Sequence, residues 1–292
     1  MQIKQAIMGA FLVDSYSLGA HWIYDEGELA KLDLDWEHLN APKVMWHKGK
    51  QKGDFTHYGD HTLWLLEFVT QNRSFDVNEY AKFWQDKMRS YDGYIDGSSR
   101  ETVEHLDAGK FDKDGVCSHD LSICGRIAPL LLVSKTEDIF VSNAVSFAKL
   151  THNDPLVLEA THFFASMLYR ALEGQSLKDI TESLLANYSA TMLTWIQDGM
   201  ESRDKDTFEA IRTFGPACGV DGGFAGTIHL LFKYNNVREM MEANARSGGD
   251  SSARGMIAGM ILGGISDERD ALAEEMNAYP AIMELLSSFN QG

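Results

Sequence analysis

The sequence predicts an all-α fold, built as a single domain over residues 1–292. Three observations carry this reading. Apolar residues recur at helical spacing along most of the chain. No run sustains the period-2 alternation of β-branched residues that marks a strand. Only five prolines occur in 292 residues, which leaves room for long uninterrupted helices.

The elements follow in order. Residues 2–20 place Ile3, Ala6, Ile7, Ala10, Phe11 and Leu18 near i, i+3, i+4 spacing. A loop is expected over Leu34–Asp60, rich in Trp, His, Lys and Gly. It is long for a structureless connection, and long loops in compact domains are often functional. Asp60 then caps an apolar helix over residues 61–72. Asp76, with Glu79 three residues on, opens another. A second loop spans Asp107–Asp120. Pro155 after Asp154 starts a helix over 155–173. Further helices are expected at Leu177–Tyr188, Ala190–Met200, Asp206–Phe214, Gly222–Phe232, Asn236–Ala245, Ser251–Leu262 and Ala278–Ser287.

Composition narrows the function. Hydrophobic residues make up 44% and charged residues 24%, an ordinary globular mix that excludes disorder. The formal charge is −17, so no basic surplus exists for a nucleic-acid polymer or an anionic membrane. Local acidic excess such as Asp267–Glu275 reads as a solvated helix face. The three cysteines, Cys117, Cys124 and Cys218, lack metal-ligand spacing and read as reduced thiols of a cytoplasmic protein. The N-terminus carries no signal-peptide pattern, and no apolar run reaches the roughly 18 residues of a membrane span.

Four places set polar groups beside glycine, next to apolar helices. Such groups are costly to bury without partners. Asp14 interrupts the first helix, either as a buried carboxylate or on its wet face. Asp25 and Glu26 follow it and read best as a cap. Asp60, His61 and Thr62 stand together at a helix start, with His57 and Tyr58 just before them. They could cap the helix or offer oxygens and an imidazole to a cation. Ser122, Gly125 and Arg126 precede an apolar stretch. Arg126 suits an anion, since its fork matches phosphate, although a plain ion pair is the commoner use. The run Thr151-His152-Asn153-Asp154-Pro155 is a dense turn-and-cap signal. Gly248-Gly249-Asp250-Ser251-Ser252 then feeds a helix of small residues. That turn offers amides to an anion and oxygens to a hard cation.

In this order the motifs resemble those of the ADP-ribosylglycohydrolase family, most nearly its branch related to J-crystallin. Val13-Asp14-Ser15 with Gly19 loosely matches the family's N-terminal Gly-Asp-Ala-x-Gly. Gly59-Asp60-His61-Thr62 stands in place of Thr-Asp-Asp-Thr. Arg126-Ile127-Ala128-Pro129 matches Arg-Ile-Ala-Pro, and Thr151, His152 and Pro155 match Thr-His-x-x-Pro. Gly248 to Ala253 corresponds to Gly-Gly-Asp-Thr-Asp-Thr. The resemblance implies an orthogonal helical bundle with a central cleft. It also implies two Mg²⁺ or Mn²⁺ ions and hydrolysis of a glycosidic bond to ADP-ribose. It assigns metal-ligand positions to Asp60, His61, Thr62, Asp250 and Ser252, and catalytic positions to Asp60, His61 and Asp250. Substrate positions fall at Asp14, His57, Tyr58, Ser122, Gly125, Arg126, His152, Gly248, Gly249 and Ser251. The substrate would be a small molecule or an ADP-ribosylated acceptor.

The departures are specific. His61 and Ser252 replace the second aspartates of the two main motifs, and Ala253 replaces the closing threonine. Two formal charges are lost, and imidazole is a poor ligand for Mg²⁺. The expectation is therefore one ion or none. The expected function is a divergent hydrolase of an ADP-ribosyl or related ribosyl-nucleotide bond. The alternative is a silent, crystallin-like binding or structural protein on the same scaffold.

Overall fold

The helices are short to medium, and most start on a side-chain cap. In chain order they are α1 (Gln2–Ser17), α2 (Glu26–Leu29), α3 (His57–Asn72), α4 (Val77–Arg89), α5 (Gly97–Asp107), α6 (Glu137–Thr151), α7 (Pro155–Leu172), α8 (Leu177–Leu184), α9 (Ala190–Glu201), α10 (Thr207–Phe214), α11 (Val220–Lys233), α12 (Val237–Arg246), α13 (Ser251–Ile265) and α14 (Tyr279–Asn290). The computed structural model describes residues 2–110, 115–266 and 270–290. Two predicted features lie partly outside these: residues 111–114 of the Asp107–Asp120 loop and residues 267–269 of the acidic Asp267–Glu275 segment. Among the described residues the only β pairing is an isolated bridge, so the all-α class holds.

The caps explain where the chain turns helical. Asp76 accepts from the amides of Asn78 and Glu79, and Asp154 accepts from those of Leu156 and Val157 ahead of Pro155. Asp25 accepts from Glu28 N and opens α2, the capping role expected of it. One boundary differs from expectation. Thr56, not Asp60, caps α3, its hydroxyl accepting from Tyr58 N at 3.1 Å. The helix therefore begins four residues early, and His57, Tyr58 and Asp60 lie on its first turn. Helices α5 and α6 and the 3₁₀ segments Leu121–Arg126 and Ala128–Val133 were not anticipated. Helix α5 is mostly polar, and α6 carries Ile139, Val141 and Val145, β-branched residues that lower helix propensity.

Helix α13 is buried along its length and is the hub of the fold. It packs on α1, α7, α11, α12 and the Leu121–Arg126 segment. Its tightest neighbour is α1, and glycine makes the approach close. A Cβ at Gly259 would stand 2.6 Å from the carbonyl oxygen of Gly9, and one at Gly9 would collide with the carbonyl of Gly259. Most of the buried apolar side chains of the described residues form one cluster that includes this pair of helices. Beside it Asp14 of α1, Thr56 ahead of α3 and Ser252 of α13 meet through hydrogen bonds. Among the described residues, no helix is long and apolar enough to cross a membrane.

Candidate functional site

Asp14 decides the ambiguity of α1: it is fully buried. Its Oδ2 accepts from Thr56 N at 2.9 Å, and its Oδ1 accepts from Thr56 Oγ1 at 2.6 Å and from the Ser252 hydroxyl. Burial pushes its carboxyl up to about 6, against the pull of the hydrogen bonds from Ser252 and Thr56. One carboxylate thus joins α1 to the entrance of α3 and to the start of α13.

The two main motifs do not face one another as a single ligand set. Asp60 Oδ2 receives Lys50 Nζ at 2.5 Å and the Tyr91 hydroxyl at 2.5 Å. His61 has partners of its own, and its ring also meets that of Tyr91 at 5.8 Å. It stacks on Trp64 with ring centroids 4.5 Å apart, and its Nδ1 stands 3.4 Å from Arg126 Nη1. Burial and then the neighbouring Arg126 hold the His61 imidazole well below its usual pKa, so it is neutral. The Thr62 hydroxyl donates back to the Tyr58 carbonyl at 2.8 Å, a bond within the helix. The Ser252 hydroxyl is spent on Asp14.

Asp250 lies elsewhere, in company the sequence did not reveal. The single bridge between Asp120 and Gly219 carries two bonds, Leu121 N to Cys218 O at 2.9 Å and Val220 N to His119 O at 2.8 Å. It sets Asp120 beside Cys218. Asp250 N donates to Pro216 O at 2.8 Å, which ties the α13 cap to the same loop. Asp120, Cys218 and Asp250 each place one ligand-type atom within 4.8 Å of the others. The Tyr58 hydroxyl lies between the two carboxylates, donating to Asp250 Oδ2 at 2.9 Å and standing 3.4 Å from Asp120 Oδ2. Trp22 Nε1 also reaches Asp250 Oδ2, at 3.4 Å. Burial first, and the adjacent Asp250 second, push the Asp120 carboxyl above its usual range.

The glycine turn is tied to protein rather than open to an anion. Gly248 N donates to Ala245 O, Gly249 N to Ile23 O and Asp250 N to Pro216 O. Ser252 N reaches His21 Nδ1 at 3.3 Å, and Ala253 N reaches Asp250 Oδ1 at 3.0 Å. The expectation of free amides there is corrected: the turn needs them to anchor the chain. Gly248 and Gly249 adopt φ of +63° and +60°, where side chains are strained. Trp22 holds φ +64° opposite them, its amide donating to Gly249 O at 2.7 Å. Strain at a bulky residue of this kind is often retained at functional positions.

Aromatic rings cover this region. Trp22 stacks on His47 and His21, with centroids 5.0 and 4.7 Å away, and meets Tyr94 edge-on at 4.9 Å. Tyr94 in turn meets the exposed Trp46 at 6.4 Å. His57 lies 4.1 Å from the Tyr58 ring, its Nε2 facing Asp96 Oδ2 at 3.5 Å while its Nδ1 has no hydrogen-bond partner. Arg126 is buried, with Nη2 on the Ser122 hydroxyl at 2.7 Å and its guanidinium 4.7 Å above the Tyr58 ring. Gly125 is a packing residue, since a Cβ there would stand 2.7 Å from Met256 Cβ. The buried His152 pairs with Thr151 Oγ1 at 2.7 Å and is held down at about 3, chiefly by burial. Ser251 Oγ is buried without a partner.

A pair of hard divalent ions does not fit these residues. Such ions take about six oxygen ligands each. Asp60 already carries an ammonium, His61 faces a guanidinium, and the Thr62 and Ser252 hydroxyls are engaged. The group at Asp120 and Asp250 includes a sulfur, which Mg²⁺ disfavours. Sequence reasoning missed Asp120, Cys218, Trp22, Lys50 and Tyr91. Trp22 in the segment LGAHWIYD and Lys50 in WHKGKQKGD carried the only hint, as unusual density of His, Trp and Lys.

Comparison with known proteins agrees with this architecture. The model of the ADP-ribosylglycohydrolase family matches residues 2–275. Crystallin J1A of Tripedalia cystophora is 22% identical over 270 residues, covering 86% of this chain and 83% of that protein. A solved structure titled ADP-ribosylglycohydrolase-related protein complex superposes with a TM-score of 0.78 at 16% identity, covering 99% of this chain and 97% of the other. That last likeness establishes the fold, while the family match spans the helices that carry every residue of the site. The chain belongs to the ADP-ribosylglycohydrolase family.

Proposed function

We propose that this protein hydrolyses a glycosidic bond to an ADP-ribosyl or related ribosyl-nucleotide group, using Asp120 and Asp250 in place of the dinuclear metal chemistry. One observation carries the reading: two carboxylates from distant parts of the chain converge on the Tyr58 hydroxyl. Glycosidic cleavage needs an acid for the leaving group and a negative charge or base facing the oxocarbenium-like centre. Two carboxylates held together divide these roles, because one keeps its proton while the other ionises. Asp120, pushed up by burial and by Asp250, is the proton carrier. Asp250, which accepts from Tyr58, Trp22 and Ala253, is the carboxylate set to face the reacting centre. The exposed ring of Trp46, edge-on to Tyr94, offers a flat face to a nucleobase.

The test is release of free ADP-ribose from N- and O-linked conjugates, followed by chromatography. Asp250→Asn should lower the rate by roughly 10²-fold or more, the usual worth of a general acid or base. No release from any conjugate by folded protein, with or without Mg²⁺ or Mn²⁺, overturns the reading. A second reading is a silent, crystallin-like binding or structural protein. The tethered amides of the Gly248–Asp250 turn favour it, as does the likeness to Crystallin J1A. It predicts that Asp60→Asn with Asp250→Asn leaves ligand binding unchanged.

A further inference from the structure

We propose that Lys50 is a built-in counter-ion that takes the place of a divalent cation at Asp60. The Lys50 ammonium stands 2.5 Å from Asp60 Oδ2, a position from which a metal would coordinate that oxygen. The Tyr91 hydroxyl donates to the same oxygen at 2.5 Å, so both of its lone-pair directions are used. The side chains of Lys50 and Asp60 are only 18% and 16% exposed. A cation displacing Lys50 must move a largely buried ammonium away from its carboxylate, which is costly.

The loop that carries Lys50 is anchored, so the charge is placed rather than wandering. Lys50 N donates to His47 O at 3.1 Å, and His47 is buried against Trp22. Beyond it, Gln51 N donates to Asp54 Oδ2 at 2.7 Å. Asn277 bonds the far side three times, through N to Gly53 O and through Nδ2 to Lys52 O and Asp54 Oδ1, each at 2.9 Å. Lys52 reaches Glu275 at 3.1 Å. The neighbouring motif position is closed as well, since His61 faces Arg126. Two protein cations, Lys50 and Arg126, thus flank the motif.

The inference stands apart from the hydrolase reading, because Mn²⁺ binding is measured without turnover. Mn²⁺ is titrated into the full chain and followed by electron paramagnetic resonance. Asp60→Asn should leave the affinity of the wild-type chain unchanged. Lys50→Met should bind Mn²⁺ at least about tenfold tighter than wild type, and Lys50→Arg should not. The gain should vanish in Lys50→Met combined with Asp60→Asn. Wild-type binding lost on Asp60→Asn overturns the proposal, and so does a folded Lys50→Met with no gain. If Lys50→Met does not fold, the comparison of wild type with Asp60→Asn decides. Mn²⁺ that binds wild type and survives Asp60→Asn is held elsewhere and supports it.

Discussion

Asp14 is the residue on which three segments depend. Its carboxylate takes three hydrogen bonds from Thr56 and Ser252 in a fully buried place. Replacing it with alanine leaves those donors unpaired, and bonds to charged groups are worth about 1.5–3 kcal/mol each before relaxation. Asp14→Ala should therefore lower unfolding stability by about 3 kcal/mol or more in a denaturant titration. Tyr58 is the residue that tests the proposed chemistry. Tyr58→Phe removes the hydroxyl between Asp120 and Asp250 while keeping the ring under Arg126. The expected result is at least about a tenfold loss of ADP-ribose release, with a stability change near 1 kcal/mol. Equal losses of rate and of fold would place Tyr58 among the structural residues instead. The sequence singled out Asp14, Tyr58, Asp60 and Asp250. It offered no route to their partners, because Asp120 and Cys218 reach Asp250 only through a single bridge between distant loops. A one-residue bridge leaves no alternation to read.

The pairing of α1 with α13 sets what each element can tolerate. Glycines at 9 and 259 let the two backbones meet, and a carbonyl cannot retreat as a flexible side chain can. Gly259→Ala should cost about 3 kcal/mol, at the upper end of overpacking effects, seen as a large fall in melting temperature. Gly174→Ala at the end of α7 meets nothing within 4 Å, but its φ of +87° makes it a control for backbone strain alone. The glycine-rich stripe of α13 was legible from its spacing, as was the need for a close neighbour. Most helices were legible too, because caps such as Asp76 and Asp154 and apolar spacing agreed. Helix α6 was not, since its β-branched residues blur the pattern that burial against α7 then overrides. The start of α3 was misplaced because Asp60 and Thr56 are both good caps, and tertiary bonds from Asp14 chose Thr56.

At the scale of the molecule, buried histidines set the acid limit. Burial holds His47 down to about 2, His152 to about 3 and His229 to about 4, with His21 and His61 also well below the usual value. Each contributes stability that is present above pH 6.5 and lost as pH falls through its folded value. The raised carboxyls of Asp14, Asp60 and Asp120 run the other way. For Asp14 the contribution is full below about pH 4 and is lost as pH rises through about 6. Five histidines outweigh three carboxylates, so the melting temperature should fall between pH 6.5 and pH 4. Calorimetry across that range checks it, and a rising melting temperature would contradict the balance.

The union of α1 with α13 also orders events in time. The bond between Ser252 and Asp14 closes 238 residues of chain. Contacts of such sequence separation slow folding, because the closure entropy is lost before they form. During synthesis α1 emerges well before α13, with most of its residues destined for burial, and finds its main neighbour only when α13 has left the ribosome. In that interval it is a sticky segment suited to a chaperone. The site at Asp14 then cannot be completed before α13 emerges, so a ribosome stalled before α13 yields a chain with the motifs of α3 but no site.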